Sequence, residues 1–217
     1  MTQIWNIPGK GVNIMLEVYL VRHGQTLWNQ ERRTQGQIDI SLSENGINQA
    51  ELLSDRLADI SFDSIYASDL KRAFQTAEII AEKHGLKVVP IKEFREINMG
   101  VWQGLTWEEI EEKYPDAARV WREKPSLANI PECEGIYNAA ERVLKAFRAL
   151  TEKHKHDNRI LIVSHGLVIG VLFCLLHDIH VDNFRLQFGQ GNTAVNIIEY
   201  DGEKFNSTLI NCTKHYD

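Results

Sequence analysis

Apolar residues recur along this chain with two periods. Short apolar runs, Val18-Tyr19-Leu20-Val21 and Ile160-Leu161-Ile162-Val163 foremost, have the length and β-branched content of buried strands. Longer stretches place apolar residues every three to four positions, the spacing of one helix face. This patterning predicts strands at 17–22, 63–67, 87–91 and 160–164, and a closing hairpin of 194–200 and 205–210 turned at Asp201-Gly202. Helices are predicted from Ser43 to about Ala58, with Ile47, Ala50, Leu53 and Leu57 on one face, and from Asp69 to about His84, stopped by Gly85. Two more are predicted at 136–154, striped by Ile136, Ala140, Val143, Phe147 and Leu150, and at about Leu167 to Leu176, apolar throughout. Thr106-x-x-Glu109 forms a capping-box signature, and Glu123 to Gly135, with Pro125 and Pro131, reads as turns. Strands alternating with helices predict an α/β fold: a doubly wound, mostly parallel sheet with helices on both faces and an antiparallel C-terminal hairpin.

Length and charge narrow the functional classes. The 217 residues suit one domain, read here as 16–217, preceded by a tail at 1–15 that lacks helix or strand periodicity. A net charge of −6 disfavours nucleic acid or an anionic membrane as the main partner. No apolar run approaches the length of a membrane span, and the N-terminal stretch lacks the features of a signal peptide. Cys133, Cys174 and Cys212 are odd in number and form no C-x-x-C pair, which points away from a disulfide framework or a zinc site and toward a reducing cytoplasm.

The chemistry gathers where strands end. Both apolar runs lead into a His-Gly, as Arg22-His23-Gly24 and Ser164-His165-Gly166. Ligands of open α/β sheets bind outside the carboxyl ends of parallel strands, so these histidines are predicted to share a site. Neutral imidazole serves as metal ligand, general base or nucleophile. Here the neighbours select an anion: a guanidinium beside a cation site is electrostatically wrong, whereas its fork matches phosphate oxygens. Arg22 and Arg72, the latter just past a strand end, can converge on one phosphoryl group. Arg32 and Arg33 read either as a solvated face or as a rim that steers an anionic substrate inward. The remaining histidines are read as surface or helix-end residues and Cys174 as core.

These residues also carry a resemblance. Leu20-Val21-Arg22-His23-Gly24-Gln25-Thr26-Leu27-Trp28-Asn29 resembles the opening signature of the histidine phosphatase superfamily, the phosphoglycerate-mutase-like group. Similar blocks follow in order at 42–50, 68–77, 94–104 and 163–166, so the likeness runs from about Glu17 to the last strand. The resemblance implies His23 as the phosphoryl-accepting nucleophile, His165 as the second histidine and Glu96 as the acid that protonates the leaving oxygen. It implies Arg22, Asn29, Gln35, Arg72 and Gly166 as phosphate-site residues, and neither metal nor cofactor. An acid working near neutrality needs a raised pKa, so Glu96 is expected in a restricted pocket; Glu93 is the competing carboxylate.

Departures from the family pattern suggest hydrolysis. Cofactor-dependent phosphoglycerate mutases carry an Arg-His-Tyr-Gly run after the catalytic glutamate and an insertion with paired arginines. This chain has Ile97-Asn98-Met99-Gly100 and no such insertion, so no second anion clamp is expected. Where many phosphatases of the family show Gly-Glu-Ser, it has Cys133-Glu134-Gly135. The chain resembles broad-specificity and alpha-ribazole phosphatases, implying a metal-independent phosphomonoesterase acting on small phosphorylated metabolites. A phosphoglycerate mutase and a non-catalytic phosphate-binding module are the alternatives.

Overall fold

Alternation along each central strand sends successive side chains to opposite faces of one sheet, and both faces are apolar. The computed structural model describes residues 16–216; the predicted N-terminal tail lies outside them. Strand β1 (Leu16–Arg22) pairs in parallel with β4 (Arg159–Ser164), which pairs with β2 (Ser64–Ala67), which pairs with β3 (Val88–Pro90). On its other side β1 pairs antiparallel with β5 (Val195–Tyr200), itself antiparallel to β6 (Phe205–Cys212). The order β3-β2-β4-β1-β5-β6 is the predicted mixed sheet.

The helices sort onto its two faces. Leu16, Val18 and Leu20 of β1 and Ile160 and Ile162 of β4 join one apolar cluster, to which α6 (Ile136–Lys153) and α7 (Gly166–Leu176) contribute Val143, Phe147, Val168 and Leu172. Tyr19, Val21, Leu161 and Val163 enter the other cluster with Leu53 and Leu57 of α2 (Glu44–Leu57) and Ala73, Ala77 and Ile80 of α3 (Lys71–His84). Each such buried aliphatic side chain stabilises the fold by roughly 1.5–3 kcal/mol. Ser43 caps α2 through its hydroxyl, and Gly85 ends α3 in the left-handed conformation at φ 62°. Helix α7 is apolar all round because sheet, α6 and α8 (Phe184–Phe188) enclose it. No helix among the described residues is long and apolar enough to cross a membrane.

Short helices fill the chain between β3 and α6. Thr106 and Glu109 form the predicted capping box of α4 (Trp107–Lys113), and α5 (Pro115–Glu123) follows with Pro115 in its first turn. Another short helix, α1 (Leu27–Gln30), lies directly after β1. Helix α3 begins at Lys71 rather than Asp69, because the backbone at Leu70 is still extended at ψ 133°; the Asp69 carboxylate is bound bidentately by Arg95 at 2.6 Å. His154 is at a helix end, as expected, yet buried: its Nε2 lies 2.7 Å from the Tyr66 hydroxyl and its Nδ1 pairs with Asp157.

Candidate active site

Parallel pairing of β1 with β4, in a register that sets Arg22 against Ser164, delivers His23 and His165 side by side at the carboxyl edge of the sheet. Their ring centroids are 5.1 Å apart. Both imidazoles are buried. The Gly24 carbonyl accepts from His23 Nδ1 at 2.7 Å, which fixes the proton there and leaves the Nε2 lone pair outward. That Nε2 accepts from Arg72 Nε at 3.3 Å. His165 Nε2 lies 2.8 Å from Ser68 Oγ, and its buried Nδ1 has no partner.

The cations are held by backbone carbonyls. Arg72, fully buried, donates to Gly36 O at 2.7 Å and Ile38 O at 2.9 Å, while Arg22 donates to Gln190 O at 2.5 Å and has a buried Nε without partner. Burial pushes Arg72 down to about 10, so it stays charged at neutral pH. Burial foremost, then the Arg72 and Arg22 charges, holds His23 well below the ordinary imidazole range. Burial, Arg72, His23 and Arg22 do the same to His165. Both rings are therefore neutral at pH 7, the form in which a nitrogen can attack.

Glu96 sits at the start of α7. Its Oε1 accepts from Ile97 N at 2.9 Å and Val168 N at 3.0 Å, and its Oε2 accepts from Leu167 N at 3.1 Å. Oε2 thus keeps one lone-pair position more than Oε1. The restricted pocket expected for Glu96 is present, and Glu93 is exposed and does not line it. Two of these amide donors, Leu167 and Val168, belong to the first turn of α7, and the third is that of the next residue, Ile97. Gly166 opens the same helix; a β-carbon there would come within 3.3 Å of Arg22 Nε, so the glycine is what lets that arginine lie against the turn.

Asn29 spends its Oδ1 on Thr26 N and Asn192 Nδ2, leaving its amide N–H donors to the cavity it lines. Gln35 lines the same cavity, and its buried Oε1 is unpartnered. Of the residues predicted for the site, Arg22, His23, Asn29, Gln35, Arg72 and Glu96 line one cavity of about 240 Å³. His165 and Gly166 are not among the residues that line it, although the His165 ring lies 5.1 Å from that of His23, centroid to centroid.

Several contributors were not anticipated. Arg142 donates to Glu93 O, Arg95 O and both oxygens of Glu134, and Glu134 accepts from Asn98 N at 2.8 Å, so this pair holds the backbone that carries Glu96. Glu134 therefore acts from behind the acid loop and not at the cavity mouth. Arg142 lies beside an apolar helix stripe and carries no sequence signal. Arg33, one of the two ambiguous arginines, lines the cavity while paired with Glu31 and Glu109. The far wall is Met99, Trp102, Trp107, Trp121, Leu167 and Arg185. Three of the chain's five tryptophans between 102 and 121 were a compositional signal for that wall. Arg185, which the sequence did not single out, also lines the cavity. Among the described residues no group of three or more His, Cys, Asp or Glu could hold a metal ion.

This arrangement has known counterparts. The family model of the histidine phosphatase superfamily (branch 1) matches residues 18–213. Phosphoserine phosphatase 1 of Hydrogenobacter thermophilus is 34% identical over 201 residues, 93% of this chain and 94% of that protein. Phosphoglycerate mutase-like protein 4 of Arabidopsis thaliana is 36% identical over 193 residues, covering 87% of this chain and 82% of that protein. The solved structure of Bacillus stearothermophilus YhfR superposes with a TM-score of 0.88 at 33% identity, over 93% of this chain and 100% of that one. Solved structures named as phosphatases of glucosyl-3-phosphoglycerate (mycobacterial), alpha-ribazole-5'-P (Escherichia coli) and phosphoserine (Entamoeba histolytica) share the fold at TM-scores of 0.82 to 0.83 and identities of 25 to 31%.

Proposed function

The chain belongs to the histidine phosphatase superfamily, and we propose that within it the protein is a phosphomonoesterase that releases phosphate from small metabolites through a phosphohistidine on His23. One observation carries the reading: a neutral imidazole whose proton is fixed on Nδ1 lines, with its unprotonated Nε2 held only by a long 3.3 Å hydrogen bond from Arg72, a cavity flanked by two buried guanidiniums. Arg22 and Arg72 neutralise the phosphoryl oxygens, Asn29 and Gln35 add amide donors, and the unpartnered His165 Nδ1 supplies another N–H when the Ser68 hydroxyl donates to its Nε2. His23 Nε2 attacks phosphorus as the ester P–O bond breaks, and the leaving oxygen takes the proton from Glu96 Oε2. The resulting carboxylate then takes a proton from water, whose oxygen attacks phosphorus; the P–N bond breaks and inorganic phosphate departs.

Hydrolysis is favoured over phosphoryl recapture because Ile97 and Met99 are buried in the apolar cluster, where the mutases' run places polar groups. A cavity of about 240 Å³ has room for a phosphoryl group and the carbons next to it. The reading includes a cytoplasmic setting, supported by three unpaired cysteines. The test is phosphate release from a panel of monoesters with chelator present, by wild type and His23→Ala. Turnover confined to the wild type is expected; equal turnover of the two would overturn it. The relatives named as phosphoglycerate mutases supply the second reading, tested by interconversion of phosphoglycerates.

A further inference from the structure

Between α8 and β5 the chain turns through residues 189–194, and that turn holds three residues of the phosphate site at once. The Gln190 carbonyl accepts from Arg22 Nη1 at 2.5 Å, and Thr193 N donates to the His23 carbonyl at 3.2 Å. Asn192 Nδ2 donates to the same His23 carbonyl at 3.2 Å and to Asn29 Oδ1 at 3.3 Å. Thr193 is β-branched and fully buried, yet sits at φ 50°, in the left-handed region where such a side chain is strained. Strain of this kind persists only where the surroundings over-determine the backbone. Here β6 and the residues after it do so. Tyr216 OH donates to Asn192 O at 2.8 Å, His215 Nε2 lies 2.9 Å from Thr193 Oγ1, and Asn211 Oδ1 accepts from Gly191 N at 2.7 Å.

The consequence falls on Asn29. A primary amide can be seated either way round, and the end that faces the cavity decides whether it attracts or repels a phosphoryl oxygen. Asn29 Oδ1 lies within hydrogen-bond reach of Thr26 N at 3.1 Å, Thr26 Oγ1 at 3.2 Å and Asn192 Nδ2 at 3.3 Å. A hydroxyl serves as donor or acceptor, so Thr26 N and Asn192 Nδ2 are the two groups that demand an oxygen there. Without Asn192, one backbone amide is left to decide the orientation.

We propose that Asn192 is a positioning residue of the phosphate site: it seats the Asn29 amide with its N–H donors toward the cavity, and Tyr216 holds Asn192 in place. The inference rests on the reading of Asn29 as a phosphate ligand, and the test separates the two.

Calorimetric titration with inorganic phosphate reads the Kd of folded molecules; a variant that merely unfolds lowers the stoichiometry and leaves Kd unchanged. Asn29→Ala should weaken phosphate about tenfold to a hundredfold, the range of a hydrogen bond to a charged group. Asn192→Ala should weaken it about threefold to tenfold, the range of one neutral hydrogen bond, since the Asn29 amide is then free to reverse. Asn192→Asp should be worse than Asn192→Ala, because a carboxylate draws the Asn29 N–H donors away from the cavity. Tyr216→Phe should have a smaller effect than Asn192→Ala, and none in the Asn192→Ala background. In the Asn29→Ala background Asn192→Ala should add less than about twofold, the non-additivity of residues that act through one another. A wild-type Kd in Asn192→Ala beside a weakened Asn29→Ala, or fully additive losses in the double variant, would overturn the positioning role alone. A wild type that binds no phosphate, or an Asn29→Ala Kd equal to that of the wild type, would overturn it together with the phosphate-site reading.

Discussion

Replacing Glu96 with Gln separates proton delivery from scaffolding, because the hydrogen-bond geometry states what each atom does. In Glu96→Gln the amide oxygen can keep the two bonds that Oε1 accepts, from Ile97 N and Val168 N. The amide nitrogen replaces Oε2 and meets Leu167 N donor to donor, losing one bond at the start of α7. An unsatisfied buried amide costs about 1–3 kcal/mol of stability, a loss readable in denaturant unfolding and not expected to unfold the protein. The kinetic effect should be larger and dependent on the substrate. Loss of a general acid lowers rates by about 10²–10⁴-fold where the leaving oxygen needs its proton, as in alkyl phosphates. Nitrophenyl phosphate, whose oxide leaves unprotonated, should lose less than about tenfold in the phosphorylation step. Steady-state kcat/KM on both esters is the assay. Equal losses on the two would refute the acid role, and the stability cost alone cannot imitate a difference between substrates.

Other outcomes follow from the same geometry. Quenching turnover in alkali should trap phosphoryl label on the protein in an acid-labile form, and His23→Ala should abolish it; label retained by the variant would place the covalent step elsewhere. With a bisphosphoglycerate primer, interconversion of phosphoglycerates should stay well below hydrolysis of the best monoester, and mutase turnover that equals it would reverse the assignment. His23 and His165 are held neutral in the fold, whereas in the unfolded chain they take up protons below about pH 6.5. Their contribution is therefore present above that pH and is lost as pH falls toward their folded values, at about 1.4 kcal/mol per pH unit for each. Unfolding free energies between pH 7.5 and 5 should show a shallower slope in His165→Asn; an unchanged slope would refute the assignment.

How much was legible depended on the range of the interactions. Strands β1 and β4 could be read because each is a single apolar run, and their ends were read as facing one site because both run into His-Gly. Helix α6 could be read because an 18-residue segment repeats its apolar stripe five times. Helices α1, α5 and α8, at four, nine and five residues, are too short for periodicity to emerge. The residues that line the cavity around His23 could be picked out because they sit in compact motifs. The far wall was not: Arg185 reaches the cavity by stacking on Trp121, a contact across 64 residues that neither residue announces locally. Glu134 was noted in the sequence, but its pairing with Arg142, which lies on another element, was not legible there.

The position of β1 has a consequence for the birth of the molecule. Its two neighbours in the sheet, β4 and β5, begin at Arg159 and Val195, and β2 and β3 reach it only through β4. A nascent chain thus carries Val18-Tyr19-Leu20-Val21 with both edges unpaired until some 140 further residues have been made, about 7–30 s at ribosomal rates of roughly 5–20 residues per second. Throughout that interval the strand that presents His23 is a naked apolar template, open to other chains and to chaperones. Any truncation before β4 should leave an aggregating fragment in which β1 has no neighbouring strand, so the pairing that sets His23 beside His165 forms only once β4 has been made.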